Sequence, residues 1–226
     1  PKVGGADGDT WTLNDPIGIY MRDNAAGKAI VSTNIEYKAT SLSNGDKNAT
    51  FTSTTPIYYP VNTPAKVDFV AYHPYQASVS NYVYKVDLSS AKQASQSAID
   101  LMRAYADGTG NAGYDKTNVL PVNLVFDHQL VKVIINVTAG TGVDNLTGLA
   151  VKIKGMDTTA DFAIDNPALS NAGTPLEITP YNVPNTSTFA AILLPVALTT
   201  QTFALTVGAN TYHWTIKHNS NSNHAT

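Results

Sequence analysis

Five histidines are the most versatile side chains in this sequence: His73, His128, His213, His218 and His224. An imidazole serves a metal or a proton relay when a second ligand or a carboxylate stands at a fixed offset on the same element. No two of the five have that spacing. His213 alternates with Tyr212 and Trp214 and should face out of its strand, while His218 and His224 lie in a polar tail. His128 follows Asp127 in FDHQL, and two readings stand: an acid–base pair, or a strand-end histidine with a local hydrogen bond. No nucleophile motif accompanies the pair, which favours the second. Asp157, Asp161 and Asp165 recur every four residues in MDTTADFAID. A helix would gather them on one face. Strand character around Phe162 to Ile164 disperses them instead; calcium held by their oxygens in a loop is the alternative, disfavoured because the spacing matches no known ligand loop. The twelve tyrosines include Tyr58–Tyr59 and the stretch Tyr72 to Tyr75. Exposed together, such rings would stack on sugars; packed against a core they would not, and packing is the commoner fate. Asn48, Asn136, Asn145 and Asn185 begin Asn-x-Ser/Thr sequons, which a chain rich in Asn and Thr generates by chance.

The signatures of enzymatic chemistry are missing. There is no G-x-S-x-G elbow, no H-E-x-x-H, no Walker loop, no dinucleotide fingerprint and no EF-hand loop. The glycines from Gly108 to Gly113 lack the helix and lysine of a phosphate cradle. We therefore expect no catalytic residue, no cofactor and no metal. The chain has no cysteine, which excludes disulfides and thiolate metal sites. Its net charge is −3, without a basic block, so nucleic acid is not an expected partner. No run of 18 or more apolar residues spans a membrane. The opening PKVGGADGDTW has neither an initiator Met nor an apolar signal core, and reads as a processed chain.

The elements that would position these residues are strands. Ile17, Ile19 and Met21 alternate after the turn signal Asn14-Asp15-Pro16. Val67, Phe69 and Ala71 alternate up to His73-Pro74-Tyr75, and Tyr82, Tyr84 and Val86 form a further run. Later runs are Val122–Leu124–Phe126, Val131–Val133–Ile135–Val137 and Leu149–Val151–Ile153. Phe189 to Leu194 is apolar on both faces and reads as a central strand. Phe203, Leu205 and Val207 should pair with Tyr212, Trp214 and Ile216 through a short loop at Gly208-Ala209-Asn210. The best helical candidate, Ser89 to Asp100, is a turn or two or a loop. Tyr105 to Asn118 lacks periodicity and reads as a linker. The expectation is an all-β protein of two tandem antiparallel β-sandwich domains, 1–118 and 119–226.

An ordered set of segments resembles the fimbrillin family of Bacteroidales. WTLNDPIGIYM (Trp11 to Met21) resembles the family's W…D-x-I-G-hydrophobic opening, and VDFVAYHPY (Val67 to Tyr75) its aYyPY strand. IDLMRA (Ile99 to Ala104), VNLVFDHQLVKVIINV (Val122 to Val137), FAAILLP (Phe189 to Pro195) and TYHWTI (Thr211 to Ile216) resemble later segments in the same order. The resemblance implies transthyretin-like sandwiches, a lipoprotein precursor, an outer-membrane or cell-surface location and assembly into type V pili. It also implies that a protease removes an N-terminal strand and that a strand from another subunit fills the vacated groove. His128 then has no catalytic role. This chain starts at the Trp11 element, so the removable strand reads as absent or very short.

The implied partners are other pilin subunits, with a host glycan or protein as a further one, and membrane attachment only through a lipid anchor outside this chain. The acceptor edges expected for strand addition are Ile17, Ile19 and Met21, and Tyr212, Trp214 and Ile216. The competing readings are a carbohydrate-binding module with tyrosine-lined loops, and a glycosidase-like enzyme. The latter needs two carboxylates facing each other across a cleft, and no pair in the sequence recommends itself.

Overall fold

The computed structural model describes residues 10–62, 66–117, 121–143, 145–195 and 201–215. Its strands are β1 (Pro16–Asp23), β2 (Ile30–Ser43), β3 (Asn48–Thr52), β4 (Val67–His73), β5 (Val83–Asp87), β6 (Met102–Ala106), β7 (Phe126–His128) and β8 (Val131–Asn136), followed by β9 (Ala150–Asp157), β10 (Thr159–Ala163), β11 (Ala168–Ser170), β12 (Pro175–Ile178), β13 (Tyr181–Asn182), β14 (Thr188–Leu193), β15 (Thr202–Val207) and β16 (Asn210–Thr215). Strands pair antiparallel within the six-stranded sheet, the four-stranded sheet and the sheet β13-β14-β8, and a further small sheet has the order β11-β10-β5. Short 3-10 turns at Gln93–Ala98 and Thr109–Asn111 are the helical elements among the described residues. No helix among them is long and apolar enough to cross a membrane.

The chain divides into two compact units, but not at a single cut. Unit 1 holds residues 1–85, 100–129 and 162–169; unit 2 holds 86–99, 130–161 and 170–226. This differs from the expected division after residue 118. The Gly- and Asn-rich stretch does not separate the units, because the residues on both sides of it, through 129, belong to unit 1. Its first residues, Tyr105 and Ala106, are the end of β6.

Unit 1 is built on a six-stranded sheet of order β3-β2-β1-β4-β6-β7. Its entry is set by turn chemistry. Thr12 N–H donates to the Asp15 carboxylate at 2.7 Å, Asn14 takes φ 70°, and Pro16 opens β1. Alternation then assigns the faces. Ile17, Ile19, Met21, Val67, Phe69, Ala71, Met102, Ala104 and Phe126 share one apolar cluster with Trp11. The opposite face carries Tyr20, Val70 and Tyr72, all buried. Tyr72 lies over Gly18, its cross-strand partner. A Cβ at Gly18 would fall within 2.6 Å of Tyr72 Cζ, so the ring needs the glycine. The Tyr72 hydroxyl donates to Asn34 Oδ1 at 2.7 Å and accepts from Gln76 N at 3.2 Å.

Unit 2 is a sandwich. A four-stranded sheet, β12-β9-β15-β16, faces a three-stranded one, β13-β14-β8. Val151, Ile153, Met156, Ile178 and Phe203 from the first meet Phe189, Ala191 and Leu193 from the second. β14 is central, with Tyr181 and Asn182 paired on one side and β8 on the other. The β15–β16 hairpin closes through Gly208–Ala209, with Gly208 at φ 60°. Gln93 in the 3-10 turn is buried with its polar atoms used. Its Nε2 donates to Leu88 O and Ile192 O at 2.9 and 3.0 Å, and its Oε1 accepts from Ile192 N–H at 2.9 Å.

Candidate functional site

The apolar face of the unit 1 sheet ends in a groove of roughly 750 Å³. Ile19 and Met21 of β1, Phe69 of β4 and Phe126 of β7 line it, together with Trp11 and Phe51. Trp11 sits in an aromatic cluster, edge-on to Phe51 at 5.1 Å, Phe126 at 5.3 Å and His73 at 5.4 Å. Lys47 is the one charged residue of the lining.

A complete sandwich would lay a hydrogen-bonded sheet over this face. Two segments outside the strands lie there instead, 53–62 after β3 and 121–125 before β7. Outside the strand ladders, residues 53–62 and 121–124 make no main-chain to main-chain hydrogen bond among the described residues. Both alternate like strands. Ile57 and Tyr59 on one, and Val122 and Leu124 on the other, pack against the core cluster. Tyr58, Val61 and Val125 point outward at 78%, 74% and 65% exposure, the highest among the large apolar side chains described. Side chains tether the first strap: Tyr37 Oη accepts Ile57 N–H at 2.7 Å, and Lys116 Nζ donates to Val61 O at 2.9 Å.

The expected acceptor edges divide. β1 is hydrogen-bonded to β2 on one side and β4 on the other, so Ile17, Ile19 and Met21 do not lie on an edge. The correction has a physical cause: a strand buried on both faces and paired on both sides has no backbone groups to offer. Ile19 and Met21 line the groove with their side chains instead. β16 does end its sheet among the described residues. Tyr212 and Trp214, opposite Leu205 and Phe203, lie on the core-facing side and remain 50% and 45% exposed, because the facing sheet is one strand narrower. Trp214 stacks on Phe203 at 5.3 Å. Ile216 lies outside the described residues.

The other singled-out residues have structural surroundings. His128 Nδ1 stands 2.8 Å from Asp100 Oδ1, so its carboxylate partner is Asp100 and not the neighbouring Asp127. His73 is buried, with Nδ1 2.9 Å from Pro16 O. Asp161 accepts from Asn171 Nδ2 at 3.0 Å; Asp157 shares its unit and Asp165 belongs to the other. No group of three or more His, Asp or Glu stands ready for a metal among the described residues. Tyr20, Tyr72 and Tyr84 are core rings, and Tyr59 meets Phe69 edge-on at 6.2 Å.

Alternation alone hides one polar centre on the other face of the unit 1 sheet. Asp68 is 0% exposed. Arg22 Nε donates to its Oδ1 at 2.7 Å and Lys28 Nζ to its Oδ2 at 2.6 Å. Tyr105 Oη adds a bond to Oδ2 at 3.2 Å, and Arg22 lies over the Tyr105 ring. The hydrogen bond to Asp68 raises the Lys28 pKa. The arrangement is a buried carboxylate held by two cations and a phenol.

A family model described as Fimbrillin-like matches residues 5–225. No curated protein sequence matches the chain. A solved Bacteroides uniformis protein described as a cell adhesion protein is similar at 30% identity and TM-score 0.78, over 96% of this chain and 83% of that one. A Bacteroides ovatus protein of the same description is similar at 19% identity and TM-score 0.63, over 91% and 77%. The tip fimbrial protein Mfa3 of Porphyromonas gingivalis shares the fold at 14% identity and TM-score 0.54, over 95% and 80%.

Proposed function

Because the chain belongs to the fimbrillin-like family, we propose that it is a non-enzymatic subunit of a cell-surface fimbria that joins its neighbours by taking one of their strands into the unit 1 groove. The observation that carries this reading is the groove's cover. An aromatic-lined sheet face lies under two straps that alternate like strands yet make no main-chain ladder among the described residues. An incoming strand supplies what the straps lack: main-chain hydrogen bonds, and alternate side chains that fill the groove. The apolar lining supplies affinity by burial, at about 1.5–3 kcal/mol for each large side chain removed from water. Such a joint is head-to-tail and propagates into a fibre. The side of β16 that no described strand pairs, on the strand carrying Tyr212 and Trp214, is the second docking edge in this proposal. Attachment to an outer membrane through a lipid anchor completes the reading. The similarity to proteins described as cell adhesion proteins supports the surface location.

The test uses a short synthetic peptide that alternates threonine with leucine, and a scrambled control. The alternating peptide should bind and change the fluorescence of Trp11, with Trp214→Phe removing the other tryptophan signal. Leu124→Lys, on the groove side of segment 121–125, and Ala49→Lys, on the β3 wall of the groove, should abolish binding while leaving thermal unfolding within a few degrees of the parent. Equal binding by the scrambled peptide, or undiminished binding by both lysine variants, would overturn the strand-acceptor reading.

A further inference from the structure

We propose that strap 53–62 is a latch on the groove, held shut by the Tyr37 phenol, and that its release sets how fast an occupant enters. The proposal rests on the groove being a strand acceptor, but its first readout does not. The strap exists because β3 leaves β2 early. Pairing stops at Lys38↔Thr52. Continuing that register would bring Pro56 opposite Asn34. Pro56 has no N–H to give, and Asn34 sits at φ 46°, beside register shifts in β2. The hairpin cannot zip further from either side, so the chain turns across the sheet face. Once there, the strap has lost its ladder. Pro56 and Pro60 donate nothing. The Ile57 N–H, part-buried, is met by a side chain, the hydroxyl of Tyr37, at 2.7 Å. Tyr37 itself lines the groove and packs on the same core cluster as Ile57 and Tyr59. One phenol thus belongs to the groove wall and to the bond that keeps the wall's cover closed.

A segment fastened by two side-chain bonds and two apolar contacts opens far more readily than a laddered strand. A closed latch keeps the apolar floor from water and from wrong partners, and an entering strand must displace it.

The experiment compares the full chain with Tyr37→Phe, which keeps the ring and removes the acceptor. Lys116→Ala, which frees Val61 O at the other end of the strap, is the second variant, and Tyr58→Ala, on the outward side, is the control. Hydrogen exchange at the Ile57 amide should quicken about fivefold in Tyr37→Phe. Uptake of 1-anilinonaphthalene-8-sulfonate, and the on-rate of the threonine–leucine peptide, should rise by a similar factor. Lys116→Ala should move the same way by less, and Tyr58→Ala should leave all three rates unchanged. Unchanged Ile57 exchange in a folded Tyr37→Phe protein overturns the latch. So does faster exchange without faster dye and peptide entry, and then the strand-acceptor reading still stands. Faster exchange and dye entry, with no peptide binding by any form, supports the latch and removes the strand reading instead.

Discussion

At the scale of single residues, unit 1 depends on polar groups placed where alternation predicts none. Asp68 is fully buried between Arg22 and Lys28. Removing its charge leaves Arg22, itself buried, without a counter-ion. Asp68→Asn should cost about 3 kcal/mol in urea unfolding, with little change in the unfolding slope. Gly18 answers to sterics. Gly18→Ala drives a methyl into the Tyr72 ring and should cost about 2 kcal/mol by the same measurement. Tyr20 makes a prediction about pH. Its hydroxyl finds no partner among the described residues, and burial pushes its pKa up to about 12. An unfolded tyrosine ionises near pH 10. The folded state therefore holds its proton more tightly than the unfolded one. This contribution to stability is complete below about pH 10 and is lost as pH rises toward about 12. Tyr20→Phe should be near neutral at pH 7, since no bond is broken. It should flatten the alkaline fall in stability, followed by urea unfolding between pH 9 and 11 and by phenolate absorbance.

At the scale of elements, the informative strand is β3, because of where it stops. The proline-bearing strap beyond Thr52 and the segment before Phe126 leave the apolar unit 1 face without a second sheet among the described residues. The groove thus follows from two elements that fail to become strands. In unit 2 the corresponding detail is Gln93. Its amide ties a 3-10 turn to the central strand β14 through three bonds to Leu88 and Ile192. Gln93→Ala should leave the Ile192 N–H and carbonyl unsatisfied in the interior and cost about 3 kcal/mol. Slowed-exchange amides in β14 should lose protection first.

At the scale of the whole molecule, the chain is interleaved. Residues 86–99 serve unit 2 before residues 100–129 return to unit 1, and 162–169 return once more. A fragment 1–118 would lack Phe126 from its own core, and a fragment 119–226 would lack Leu88 and Gln93. Neither fragment should show the dispersed amide spectrum of a folded protein, whereas the full chain should. Sharp, dispersed spectra from both pieces would refute the interleaving.

The local residues of this chain already determined its class. Alternation at Ile17–Met21, Val67–Ala71 and Val151–Ile153, with turn residues at Asn14–Asp15 and Gly208, specifies antiparallel strands, because side-chain period and backbone φ are local properties. Tertiary structure alone decided which strands become neighbours. Whether Ile17–Met21 lies at an edge or a centre depends on β4, some fifty residues away, and its alternating pattern is the same in either place. For the same reason Asp68 reads as a solvent-facing residue until Arg22 and Lys28 arrive from another strand and a loop. The groove is the extreme case. Its lining comes from Trp11 through Phe126, and it exists because two segments with strand-like alternation found no neighbouring strand among the described residues, something no pattern within a segment records.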